Sequence, residues 1–133
     1  MSNERLVGAS DMRDAVEGLA QFRGTSKPAG IIAGEIGGGA GLRAFTVAGM
    51  MDIPIVDADT MGRAFPRLHL SLPAVYDAMP LAPVVLSDAC KNVVTLSDVQ
   101  DNHRLETLAR TVCAELGMWT AYDGSGAKGL LYA

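Results

Sequence analysis

Glu35, Asp57, Asp59 and Arg63 fall in one stretch of the chain, with the glycines Gly37, Gly38, Gly39 and Gly41 between them. Asp57 and Asp59 are two positions apart, a spacing that puts both carboxylates on one face of a strand. Carboxylates so close suit either of two chemistries. They bind a divalent metal ion, or they hold their pKa values apart so that one works as acid and the other as base. Glu35, at the mouth of the glycine run, is a further candidate base or ligand-binding acid. Arg63 carries a guanidinium fork that clamps a substrate carboxylate or pairs with the aspartates. The bare glycine backbone, followed by a helix start, presents N–H groups to an anion or oxyanion. Each residue also has a plainer role: an Asp–Arg pair holding a loop, a tight strand-to-helix turn, or a solvated surface acid.

Positioning these groups requires a β–loop–α–β unit. Ile31-Ile32-Ala33 is an apolar run that enters the glycine loop, Leu42 to Met51 reads as a short helix, and Ile53-Pro54-Ile55-Val56 reads as a buried strand. Ligands of open α/β sheets bind at the carboxyl ends of strands, so the carboxylates and Arg63 are expected to converge on one crevice. Gly39-x-Gly41-x-x-Ala44, with Asp57 after the next strand, also matches the spacing of a dinucleotide-binding fingerprint. A dinucleotide-binding oxidoreductase domain is therefore an alternative. No Lys-Ser/Thr pair follows the glycines, which excludes a phosphate loop of the NTPase kind.

The rest of the chain supplies the scaffold. Met12, Ala15, Val16, Leu19 and Ala20 repeat at helical spacing, and Gly24 stands where a helix stops. Residues 64–83 contain Pro66, Pro73, Pro80 and Pro83, predicting an irregular lid or wall in which the lone His69 is packed or solvated rather than catalytic. Ala82 to Ser87 and Val93 to Ser97 predict a hairpin, with Cys90 at its turn. Leu105, Leu108, Ala109, Val112, Cys113 and Leu116 form an unbroken helical stripe, capped by Asp98 or Asp101 and ended by Gly117. Glu106 and Arg110 are spaced to pair along that helix. Residues 118–133, with Asp123-Gly124-Ser125-Gly126, read as a strand, a turn and the start of another element. The expected fold is α/β: a mixed sheet with flanking helices, built on a β–glycine loop–α–β core plus a hairpin.

Composition narrows the function classes. The chain has 133 residues, 49% hydrophobic and only 20% charged, which excludes a disordered segment. A net charge of -4 with no basic stripe argues against nucleic acid. The apolar runs are broken well before the ~20 residues that cross a bilayer. No secretory leader opens the chain, and Cys90 and Cys113 form no disulfide framework, so a cytoplasmic protein with reduced thiols is expected.

Gly34-Glu35-Ile36-Gly37-Gly38-Gly39 followed by Val56-Asp57-Ala58-Asp59-Thr60-Met61-Gly62-Arg63-Ala64-Phe65-Pro66 resembles the S-methyl-thiohydantoin desulfurase-like family. Its members accompany, or are fused to, hydantoinase/oxoprolinase-type proteins. The resemblance spans most of residues 10–133. It implies an enzyme or accessory protein acting on cyclic amides of the hydantoin kind. By position, Asp57 or Asp59 would activate water or hold a divalent metal ion, the Gly37–Gly41 backbone would bind an oxyanion, and Arg63 would orient the substrate. The chain departs from the family at Ala40, where Asn is typical, and at Lys91, where glycine is usual. Family proteins are longer, so residues 1–133 are expected to form a single partial domain, the middle of the family's N-terminal domain. A sheet lacking neighbours would leave apolar surface for self-association or for a hydantoinase/oxoprolinase-type partner. A non-catalytic module serving such a partner is the second alternative.

Overall fold

The first helical stripe folds as α1 (Ser10–Phe22) in the computed structural model, which describes residues 10–63, 65, 67–76, 80–116, 119–123 and 130–132. Met12, Ala15, Val16, Leu19 and Ala20 are its buried face. Its end is closed by two backbone bonds: the Gly24 N–H donates to the Gln21 carbonyl (3.0 Å) and the Thr25 N–H to the Ala20 carbonyl (2.9 Å). This is the paired closure expected where glycine follows a helix.

The strands are β1 (Gly30–Ala33), β2 (Ile55–Asp59), β3 (Val84–Ser87), β4 (Val93–Leu96), β5 (Trp119–Asp123) and β6 (Leu130–Tyr132). They form one six-stranded mixed sheet in the order β2-β1-β6-β5-β3-β4. β1 runs parallel to β2 and to β6, while β3 is antiparallel to β4 and β5, and β5 to β6. The remaining helices are α2 (Gly39–Met51), a single turn α3 (Leu72–Val75), and α4 (Asn102–Leu116). Successive strand residues point to opposite faces, so each face has its own core. Ile31 and Val85 pack with α1 and α2, through Val16, Leu19 and Val47 among others. Ile32, Val84 and Leu86 pack on the other face with Leu81 and with Leu105 and Ala109 of α4. The fold is α/β, with helices on both faces.

Three expectations change. The helix after the glycine loop starts at Gly39 rather than Leu42, so Gly39 and Gly41 lie in its first turn. The second strand is largely exposed: it runs over Ile55–Asp59, Val56 is 37% exposed, Ile55 packs partly against the core, and Ile53, just before the strand, is buried in it. The reason is topological, because β2 is an edge strand with β1 as its only neighbour among the described residues. The described residues of 64–83 are less irregular than the prolines suggest, carrying a 3-10 turn at Leu68–Leu70 and α3. The expected hairpin forms from β3 and β4, and the Asp88 carboxylate organises its turn by accepting the Cys90 and Asn92 N–H groups, each at 2.8 Å. Lys91 there has φ 67°, in the left-handed region that glycine occupies without strain. Asp101, rather than Asp98, caps α4 by accepting the Arg104 N–H (2.7 Å). Gly117 and the turn expected over residues 124–126 lie outside the described residues.

Candidate functional site

Thr60 joins the loops that leave β1 and β2. Its hydroxyl (2.9 Å) and its N–H (3.2 Å) both donate to the Gly34 carbonyl. Thr60 is buried, and its own carbonyl accepts the Leu72 N–H (2.7 Å). Glu35 follows Gly34 and Asp59 precedes Thr60, so the glycine loop and the acidic segment share one end of the sheet. Thr60 was not singled out from sequence, because a lone threonine between an aspartate and a methionine carries no pattern.

The carboxylates differ in what already occupies them. Glu35 Oε2 accepts the Gly37 N–H (2.8 Å). Asp59 Oδ1 accepts the Gly62 N–H (2.7 Å) and the Met61 N–H (3.3 Å), an Asx-type turn that shapes the exit from β2. Asp57 is exposed and makes no hydrogen bond or ion pair among the described residues. The shared strand face expected for Asp57 and Asp59 is interrupted, since the β1/β2 register passes from Ile32↔Val56 to Ala33↔Asp59 through an irregularity. Arg63 does not pair with either aspartate among the described residues; its guanidinium carbon lies 5.0 Å from the centre of the Phe65 ring, a cation–π contact. No cluster of three or more His, Cys, Asp or Glu suited to a metal ion occurs among the described residues. Asp59 Oδ1 is committed to backbone N–H groups.

The glycines have local reasons. Gly38 is the residue before α2 and has φ 57°, so a side chain there would be strained. A Cβ on Gly41 would come within 3.2 Å of the Ile36 carbonyl oxygen, so this glycine lets the loop close onto the helix. That contact gives Gly41 a packing role within the Gly39-x-Gly41-x-x-Ala44 run. The first-turn N–H groups of any helix lack intrahelical partners; of these, Ala40 donates to the Gly37 carbonyl (3.3 Å). Arg43 brings its guanidinium next to Gly39, with atoms 3.6–3.9 Å from where a Cβ would stand. This cation beside the glycine loop was missed in the sequence. Its signal was the step of one helical turn from Gly39 to Arg43.

Beyond Asp59, the chain forms a hollow of about 270 Å³ against α4. Met61, Phe65, Leu68, Ala109 and Cys113 give it apolar walls, and Arg67, Glu106 and Arg110 are its charged lining. Glu106 is buried and occupied on both oxygens: Oε2 accepts the Leu68 N–H (2.7 Å), and Oε1 accepts Arg110 Nη2 (2.6 Å) and Nε (3.2 Å). The expected pair on α4 therefore also ties residues 67–70 to the helix. Beside it the His69 and His103 rings lie 4.3 Å apart, tilted by 37°. His69 Nδ1 is buried without a hydrogen-bond partner among the described residues.

His69 titrates below the ordinary histidine value, first because burial penalises its charged form and next because His103 stands against it; Arg67 and Arg110 add to the effect and Glu106 opposes it. A histidine harder to protonate when folded makes the unfolded chain the stronger proton binder in that window. Its stabilising contribution is present above the unfolded value, about 6.5, and is lost as pH falls. Melts of wild type and His69→Phe between pH 8 and pH 5 are expected to converge on acidification. A constant difference between the two would show that the ring pair carries no proton linkage.

The model of the S-Me-THD-like N-terminal domain matches residues 1–98. The chain belongs to that family. The S-Me-THD-like match takes in the glycine loop, the acidic segment and the hairpin, and stops before α4, whereas the resemblance in the sequence was expected to reach further. No curated relative matches the chain. Among solved structures, the X-ray structure of a protein from Chromobacterium violaceum is similar with a TM-score of 0.72 at 22% identity, covering 87% of this chain and 35% of that one. It supports the fold. The S-Me-THD-like chain thus spans about a third of that protein's length. No helix among the described residues is long and apolar enough to cross a membrane.

Proposed function

We propose that this S-Me-THD-like chain serves hydantoin- or thiohydantoin-related cyclic-amide chemistry as a hydrolase-type domain of the cytoplasm, acting on a small molecule. The observation that supports this reading is the Thr60–Gly34 junction, which joins the end of β2, two residues beyond the uncommitted carboxylate of Asp57, to the start of the glycine loop. Asp57 takes a proton from water as the water oxygen attacks the ring carbon, and passes it to the departing methylthio sulfur or ring nitrogen as the bond from that atom to the carbon breaks. The negative charge that develops on the ring is met by the first-turn N–H groups of α2 and by Arg43 beside them. Glu35 and Asp59 hold the two loops through their bonds to Gly37, Met61 and Gly62, and Arg63, seated on Phe65, orients the substrate. No step is assigned to a metal ion. Ile36, Leu42 and Phe45 expose apolar surface on and beside α2, which supports association with a second copy or with a hydantoinase/oxoprolinase-type protein.

The test uses hydantoin and its 2-methylthio derivative. The expected result is a rise in melting temperature with either compound, together with release of methanethiol from the derivative or of the ring-opened carbamoyl acid. A folded chain that gives no ligand-dependent shift and neither product would overturn the proposal.

A further inference from the structure

We propose that the hollow between Met61, Phe65, Arg67, Leu68 and α4 is a separate binding site, for a small organic carboxylate with an apolar body. Two guanidiniums, Arg67 and Arg110, face one carboxylate, Glu106, in its lining, so its charge is net positive. Glu106 cannot serve a cationic ligand, because its oxygens already accept the Leu68 N–H and Arg110. Arg67 forms no ion pair among the described residues, leaving its fork for an anion. A planar guanidinium binds a carboxylate through two parallel N–H···O bonds.

The walls decide what that anion is attached to. Phe65, Leu68 and Ala109 are apolar, and Met61 and Cys113 are soft and polarisable, so a phosphate or sulfate ion would leave this surface wet. A volume of about 270 Å³ is at the small end for ligand pockets, enough for a phenyl or short alkyl group. The site uses neither Asp57 nor the glycine loop, so its fate is independent of the hydantoin reading.

The experiment is a titration of the ¹⁵N-labelled chain followed by amide NMR, with phenylacetate as the probe and acetate, benzyl alcohol and inorganic phosphate as comparisons. Phenylacetate is expected to move the resonances of Leu68, Ala109 and Cys113 and to bind about tenfold or more tighter than each comparison, the size of one charge-assisted hydrogen bond. Arg67→Gln is expected to remove that advantage over benzyl alcohol, and Arg67→Lys to retain part of it, both with an otherwise unchanged spectrum. Arg67 is exposed, so neither variant threatens the fold. Equal binding of phenylacetate and benzyl alcohol, shifts confined to other residues, or an Arg67→Gln variant that binds as wild type would each overturn the assignment.

Discussion

Leu105→Ala is expected to lower the unfolding free energy by about 2–5 kcal/mol, the cost of a buried leucine truncated where its surroundings cannot collapse. Leu105 is 1% exposed and packs in the core formed by Ile32, Leu81, Val84, Leu86 and Ala109. Those contacts come from two strands, the segment before β3 and the next turn of α4, so no single element can move to fill the space. Leu108, on the same stripe, is only half-buried, and Leu108→Ala is expected to cost clearly less. Denaturant midpoints of the two variants decide the matter. If Leu105→Ala shifts the midpoint no more than Leu108→Ala does, α4 is not seated on the sheet through Leu105.

Asp57→Asn is expected to reduce turnover of a hydantoin substrate about 10²–10⁴-fold, the usual worth of a general base, with the melting temperature unchanged. Asp59→Ala is expected to do something different. It removes the acceptor of the Met61 and Gly62 N–H groups and should destabilise the fold by about 0.5–2 kcal/mol, the range seen when a capping side chain is deleted. Asp57 has no such duty, since its carboxylate holds nothing among the described residues. Paired measurements of turnover and melting separate base from scaffold. A destabilised Asp57→Asn, or one with wild-type turnover, would remove Asp57 from the mechanism; an Asp59→Ala as stable as wild type would remove the turn from the scaffold.

Elements whose signals are local were legible in the amino-acid sequence. Helical periodicity located α1 and α4, the spacing of Glu106 and Arg110 foretold their pair, and the runs around residues 88–92 foretold the hairpin. The glycine and acidic motifs were specific enough to mark the S-Me-THD-like family. Features that depend on groups distant along the chain emerged only on packing. Val56 looked buried because it is apolar, yet β2 is an edge strand, a property of strand order rather than of any segment. Asp57 and Asp59 looked equivalent because alternation was assumed, yet an interrupted register and two backbone N–H groups make them different. Thr60 on Gly34, Arg43 beside Gly39, and Glu106 holding Leu68 are juxtapositions that no local pattern encodes. Propensity and periodicity act within a few residues, whereas a buried polar group takes whichever partner the packed chain brings to it.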